Sequence, residues 1–133
     1  MNNKMDKILA EISAGELIDK ITILEIKKEK ISDKDKLSEV QKELNSLSDT
    51  MEKCIPDQRK VIKFKDELKI VNEKLWDVEN GKRLAEKKQD FGEKFVKLSR
   101  DVHFFNDDRA KIKLEINNIT GSKIREIKEY TSY

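Results

Sequence analysis

Arg109 is a charged residue inside a series of apolar positions that recur at steps of three and four, between Phe105 and Ile112. Such spacing places a side chain on the face where one helix contacts another. A buried guanidinium there is unfavourable unless a carboxylate pairs with it. We therefore expect Arg109 either to pair with an acid and fix the helix register, or to form an anion or partner site. The candidate acidic partners are Glu16, Asp19, Glu25, Glu67 and Asp107.

Trp76 and His103 are the single tryptophan and the single histidine of the chain. A tryptophan usually anchors a core or an interface, and a lone histidine is usually packed or half-exposed, but either can line a ligand site. If the third and fourth helices run antiparallel, Trp76 lies beside His103 and Asn72 beside Asp107. Our hypothesis is one polar ligand-binding pocket, formed by Glu16, Asp19, Asn72, Glu73, Trp76, Asp77, His103, Asn106, Asp107 and Arg109.

The motifs of common catalytic and metal sites are missing from this sequence. It has no paired Glu-x-x-His motifs for a di-iron centre, and one cysteine and one histidine are too few for a zinc site. With only four glycines it has neither a Walker loop nor a Gly-x-Gly-x-x-Gly motif. We predict no catalytic residue, no metal ligand and no cofactor, and we favour a non-catalytic protein over an enzyme.

Two helices are predicted in the first half of the chain. Helix 1 is expected over about residues 14–31, and it opens on Ser13-Ala-Gly-Glu16, which has the form of a capping box. Its apolar residues cover a wide arc, which predicts a central helix. Helix 2 is expected over about 34–54, after a capping break at Ser32–Asp35. Its narrow apolar stripe predicts a peripheral helix packed on helix 1, with Cys54 in the contact.

Two longer helices are predicted in the second half. Helix 3 is expected over about residues 57–88 and helix 4 over about 91–119, with a turn at Gln89–Asp90. Asp90 and Glu93 repeat the capping pattern. The apolar stripes of the two helices face each other across the turn, which predicts an antiparallel hairpin.

The antiparallel register also brings opposite charges together, Glu79 with Arg100 and Asp66 with Lys113. Residues 1–12 show no clear period, and 122–133 form a tail that is either a short helix or extended. We therefore predict an all-α fold with a single domain, residues 1–133. In it, antiparallel helical hairpins form an elongated four-helix bundle that resembles a coiled coil.

Composition narrows the class further. Of 133 residues, 42% are charged and 6% aromatic, which suits thin helical contacts with water-facing outer sides. The net charge of +2 comes from interleaved acids and bases, so nucleic-acid binding is not expected. One cysteine excludes an intrachain disulfide. No signal peptide or membrane-spanning stretch is visible, so the cytoplasm is the expected location.

The stretch Ile12-Ser-Ala-Gly-Glu-Leu-Ile-Asp-Lys-Ile-Thr-Ile-Leu-Glu-Ile-Lys27 resembles the opening of a family of short, uncharacterised, all-helical bacterial and phage proteins, a domain of unknown function. The resemblance covers nearly the whole chain. It implies a stand-alone helical domain without an assigned activity, encoded in bacteria often near glycosyltransferase and surface-polysaccharide genes. The further matching pieces are Asn72-x-x-Leu-Trp-Asp-x-Glu79, Asp90-Phe91, Asn106-Asp-x-Arg109 and the tail ending in Tyr133.

We therefore predict a non-catalytic helical interaction or scaffold protein. It is expected to be a homodimer, with a further protein partner as an option, because so many thin helical contacts leave too little core area in one copy. The alternative is a small-molecule or anion-binding protein, or a small enzyme, with a pocket around Arg109, Trp76 and His103, linked to surface glycan metabolism. A scaffold is expected to tolerate Arg109→Leu, whereas a binding site would lose its ligand.

Overall fold

The computed structural model describes residues 5–133, and within them the chain forms four α-helices and no strand. They are α1 (Ala14–Lys30), α2 (Lys34–Cys54), α3 (Ile62–Lys87) and α4 (Glu93–Thr120). The predicted all-α helical bundle is confirmed. Residues 1–4, which belong to the predicted domain and to the segment predicted to lack a period, lie outside the described residues. Residues 5–13 and 124–133 form neither helix nor strand.

Helix α1 is the centre of the bundle, as its wide apolar arc predicted. It packs against α2, α3 and α4, and Ile18, Thr22 and Ile26 are almost fully buried on it. Helix α2 folds back on α1 and buries only a narrow stripe, Val40, Leu44 and Met51. Because that buried series stops at Met51, Cys54 at the end of α2 is exposed, and the prediction that it packs in the contact is wrong.

Helices α3 and α4 form the antiparallel hairpin in the predicted register. A side-chain carbon added at Gly81 would lie 3.2 Å from Leu98, and the Lys74 ammonium lies 5.6 Å from the centre of the Phe105 ring. Both contacts join residues that the register places opposite each other. The predicted partner of Lys113 is wrong, because α1 lies on that side of the hairpin and supplies Glu16 instead of Asp66.

The helix starts agree with the capping predictions only in part. The Ser13 hydroxyl accepts a hydrogen bond from the Glu16 amide at 3.0 Å, and Asp33 caps α2 in the same way through Lys36. Asp90 does not cap α4, which begins after Gly92 without a side-chain cap. The Asp90 carboxylate instead accepts from the Gly92 amide at 3.2 Å and closes the turn.

The start of α3 also differs from the prediction. Residues 58–60 form a separate 3-10 turn, capped by Asp57, and α3 begins at Ile62. This extra turn after Pro56 lets the chain change direction between α2 and α3 before the long hairpin starts. None of the helices within residues 5–133 has the apolar stretch needed to cross a membrane.

Candidate functional site

Arg109 pairs with Asp19, one of the acids predicted as its partner. Its Nε donates to Oδ1 of Asp19 at 2.9 Å, and its Nη2 donates to Oδ2 at 2.5 Å. Asp19 is 1% exposed, and the Arg109 side chain is 29% exposed. The carboxylate therefore takes the place that an anionic ligand would occupy at the guanidinium, and the pair ties α4 to α1.

Asp19 is also held by neighbours on α1 and α3. The Asn72 amide nitrogen lies 2.9 Å from Oδ1 of Asp19 and 2.9 Å from the Thr22 hydroxyl. Thr22 donates in turn to the Asp19 carbonyl at 2.8 Å. Burial alone would raise the pKa of Asp19, but the hydrogen bonds from Arg109 and Asn72 and the positive charge of Arg109 hold it below its ordinary value.

A second cluster of charges lies at Lys113, four residues after Arg109 on α4. Its ammonium lies 2.9 Å from the Glu16 carboxylate of α1 and 2.7 Å from Glu126 of the tail. Burial lowers the pKa of Lys113, but the hydrogen bonds to Glu126 and Glu16 outweigh this and raise it. Because Glu16 points to Lys113, its carboxylate is used in this contact between elements rather than in the predicted capping box.

The backbone of α1 approaches α4 closely at the same end of the bundle. The Gly15 amide donates to Oδ1 of Asn117 at 2.7 Å, and the Ala14 amide donates to the Ser122 hydroxyl at 3.1 Å. A side-chain carbon at Gly15 would lie 2.5 Å from the Lys113 carbonyl oxygen. Only glycine allows this approach without moving one of the helices.

Trp76 lies beside Arg109 at a small cavity of about 210 Å³ between α1, α3 and α4. Asn72 and Arg109 contribute to its wall together with apolar residues of α1 and α3, including Ile26. Both Asn72 and Arg109 are already hydrogen-bonded to Asp19. Asn72 and Arg109 are thus hydrogen-bonded within the protein, whereas Glu79 and Asn80, which also line this cavity, are exposed.

His103 lies at a different, larger groove of about 670 Å³ between α4 and the tail. Asn106 and Asp107 line it as well, and its other wall includes Tyr130 and Tyr133. The centres of the His103 and Tyr133 rings are 5.0 Å apart. The Tyr133 hydroxyl donates to the Asp107 carboxylate, and this hydrogen bond raises the pKa of Tyr133.

The structure therefore divides the predicted pocket between two places. Asn72, Trp76 and Arg109 line the small cavity, and Asp19 is hydrogen-bonded to Asn72 and Arg109. His103, Asn106 and Asp107 line the groove beside the tail, and Oδ1 of Asn106 also lies 3.5 Å from Nη1 of Arg109. Glu16 belongs to the Lys113 cluster. Glu73 is half-buried and Asp77 is exposed on α3. The ten predicted residues do not converge on one cavity, and whether any of them binds a ligand stays a prediction.

Several residues of the network were missed by the sequence reasoning, among them Thr22, Lys113 and Asn117. The signal was present on α4, where Arg109, Lys113 and Asn117 follow each other at steps of four residues and share one face. That polar row lies opposite Glu16 and Asp19, which are three residues apart on α1. These two matching polar rows, rather than the single charge of Arg109, are the sequence signal of the contact between α1 and α4.

The fold and this network define a small helical-bundle protein whose helices are tied by buried charges. A family model matches residues 8–133, and the chain belongs to that family, described as a family of unknown function (DUF6165). No curated protein and no solved structure matches the chain. In the part of the chain that the structure describes, no group of histidine, cysteine and acidic side chains is arranged to hold a metal ion.

Proposed function

We propose that this chain is a non-catalytic helical interaction protein that works as a homodimer. One observation carries the proposal: from Gly81 to Leu98, all of which the structure describes, Ala85 is the only buried residue. The hairpin is therefore largely exposed over this stretch. Leu84, Phe91 and Val96 are each about half exposed in this stretch, at 49%, 50% and 52%. Exposed apolar side chains grouped in this way favour an interaction surface.

The surface that we assign to the contact is the outer face of α4, opposite its contact with α3. Val96 and Phe104 supply apolar area on this face, and Phe104 is 38% exposed. Charged residues before Val96 and between Val96 and Phe104 line a shallow depression of about 600 Å³ on this face. Those charged residues are Glu93, Lys97, Arg100 and Asp101.

A second copy of the chain fits the charges of this face. Lys97 and Asp101 are four residues apart and pair within α4 at 2.9 Å. If two α4 helices lie antiparallel and cross at Ser99, each Lys97 also lies opposite the partner's Asp101. The charge pattern is then self-complementary about a twofold axis, as an isologous interface requires. Val96 and Phe104 flank the crossing and supply apolar area to bury.

The test is a charge exchange followed by sedimentation equilibrium of the full chain. We expect the wild-type chain to dimerise reversibly. Lys97→Glu alone and Asp101→Lys alone are each expected to weaken the dimer about tenfold or more, because like charges then meet across the axis. The double variant Lys97→Glu/Asp101→Lys is expected to regain most of the affinity.

Lys111 and Glu115 provide the matched control, since they are exposed, four residues apart and on the same helix. The single variants Lys111→Glu and Glu115→Lys also place like charges four residues apart within α4, but they lie about 18 Å or more along the helix from the crossing at Ser99. They are expected to leave dimerisation unchanged. A wild-type chain that is monomeric at every concentration, or a double variant as weak as the single ones, contradicts the proposal.

The resemblance described above suggests the setting. We propose that the protein acts in the cytoplasm of a bacterium or a phage-infected cell, as a helical module beside glycosyltransferases of surface-polysaccharide synthesis. Because the sequence contains no assembled catalytic motif, we favour a non-catalytic role in such a pathway. Two-hybrid assays with enzymes encoded by neighbouring genes, in wild-type and Val96→Glu forms, test this setting.

A further inference from the structure

We infer that the groove between α4 and the tail, residues 122–133, binds an uncharged, ring-shaped small molecule whose edge carries hydroxyl or amino groups, a nucleoside or a monosaccharide. This inference goes beyond the proposed function and does not depend on dimerisation. One wall comes from a single face of α4 and the other from the tail. The lining residues on α4 include His103, Asn106 and Asp107, and those on the tail include Lys128, Tyr130 and Tyr133.

The groove is formed without a ligand, because the tail is tied to the bundle at several points. Near its start, the Ser122 hydroxyl accepts from the Ala14 amide at 3.1 Å. Further along, Glu126 lies 2.7 Å from the Lys113 ammonium. At its end, the Tyr133 hydroxyl donates to Asp107. The stretch between Glu126 and Tyr133 is therefore fixed at both ends and lies along the groove. A ligand would bind to a preorganised site.

The carboxylate and the ammonium that line the groove both contact other groups of the protein. The Asp107 carboxylate accepts the Tyr133 hydroxyl, and the Lys128 ammonium lies 3.6 Å from Glu126. The groove thus holds one carboxylate and one ammonium, each in contact with another group of the protein, together with the His103 ring. An anion such as a phosphate finds no cluster of cations here, and its binding would disturb an existing contact. The chemistry favours a ligand without net charge.

The remaining surface of the groove combines flat rings with neutral hydrogen-bonding groups. Tyr130 is 78% exposed and Tyr133 is 73% exposed, and His103 is also exposed. The Asn106 amide and the Thr131 and Ser132 hydroxyls complete the lining. Ring faces beside amide and hydroxyl groups suit a ligand that stacks with one face and forms hydrogen bonds along its edge.

The size of the groove agrees with such a ligand. Its volume of about 670 Å³ lies within the range of about 300–1,000 Å³ that is usual for small-molecule sites. A single nucleoside or monosaccharide fits in this space with room for bridging water.

The experiment is an NMR titration of the full-length, isotope-labelled chain. The neutral probes are adenosine, cytidine, glucose and N-acetylglucosamine, and the charged comparators are adenosine monophosphate and glucose 6-phosphate. We expect at least one neutral probe to shift the amides of residues 102–107 and 128–133 together. Its phosphorylated counterpart is expected to bind about fivefold or more weakly. The nucleoside and sugar arms then decide between the two sources of this chemistry.

Variants of the tail show whether the rings are used. Tyr130→Ala removes an exposed ring from the groove and is expected to weaken the binding of the neutral probe about tenfold. Ile127→Ala is the matched control, because Ile127 is 88% exposed on the same tail and does not line the groove. The inference is overturned if no neutral probe shifts these amides, if the phosphorylated probes bind more tightly, or if Tyr130→Ala binds like wild type.

Discussion

Arg109 and Asp19, which are 90 residues apart in the sequence, meet through two parallel hydrogen bonds, from Nε to Oδ1 at 2.9 Å and from Nη2 to Oδ2 at 2.5 Å. A planar guanidinium binds a carboxylate in this way only in a narrow range of orientations. The pair therefore fixes the rotation of α4 against α1 as well as their separation. Asn72 adds a bond from α3 to the same carboxylate, so three helices share one anchoring group.

This contact reverses the expectation for Arg109→Leu. From the sequence alone, a scaffold was expected to tolerate the change, but Asp19 is 1% exposed and would keep a buried charge without its cation. Removing one partner of a buried pair typically destabilises a protein by about 3–5 kcal/mol. We expect Arg109→Leu to lower the free energy of unfolding by about that amount in urea denaturation.

Arg83→Leu is the control for this measurement, because Arg83 is an exposed arginine on α3. Surface substitutions of this kind are usually within about 0.5 kcal/mol of wild type. If Arg109→Leu is as stable as Arg83→Leu, the pair does not anchor the helices, and Arg109 becomes free again for a role in binding.

The stability of the protein is expected to depend on pH through Asp19. Its pKa is lower in the folded chain than the ordinary value, which is about 3.9 for an unfolded aspartate. The stabilisation from the ionised carboxylate is therefore fully present above about pH 4 to 5 and is lost as the pH falls through the lower, folded pKa.

Asp19→Asn removes this titration. The stability difference between wild type and Asp19→Asn is expected to be constant near neutral pH and to shrink below about pH 4. A difference that does not change with pH argues against an ionised Asp19.

The helices and their order were predictable because they follow from local patterns. The apolar stripes of α3 and α4 set the hairpin and its register, and the wide arc on α1 placed it at the centre. The first residues of α3 and α4 were less predictable. The 3-10 turn at residues 58–60 and the turn at Asp90, which precede these helices, depend on how the chain must change direction. Local capping patterns do not contain that information.

The candidate site was predictable in some of its residues but not in its arrangement. Arg109 stood out as a charge in an apolar stripe, and Asp19 was among its possible partners. The sequence does not show that Trp76 and His103 lie at separate sites, because the tail provides one wall of the His103 groove. The apolar residues of the tail, at 124, 127 and 130, are compatible with a short helix or with an extended path. The sequence therefore does not predict that the tail returns along α4.

The attachment of the tail is expected to depend on Glu126. Its carboxylate lies 2.7 Å from Lys113, and the hydrogen bond from Lys113 is the main cause that lowers the pKa of Glu126. Glu126→Gln weakens this tie, whereas Glu129→Gln changes an exposed acid on the same tail. In hydrogen-exchange mass spectrometry, peptides from residues 122–133 are expected to exchange faster in Glu126→Gln than in wild type or Glu129→Gln. The helices are expected to keep their protection. Equal exchange in all three chains contradicts a role for this ion pair in docking the tail.

Gly15 and Gly81 offer a paired test of how closely the helices must approach. At Gly15 an added side-chain carbon meets the Lys113 carbonyl oxygen at 2.5 Å, and a backbone group cannot turn away. At Gly81 the added carbon meets the end of the Leu98 side chain at 3.2 Å, and that side chain can rotate. Gly15→Ala is therefore expected to destabilise the protein by about 1–3 kcal/mol through overpacking. Gly81→Ala is expected to be neutral or to stabilise by up to about 1 kcal/mol, because alanine favours a helix interior. The measurement is the midpoint of thermal denaturation of the two variants and of wild type. Equal midpoints for Gly15→Ala and wild type would mean that α1 and α4 do not pack as closely as this contact requires.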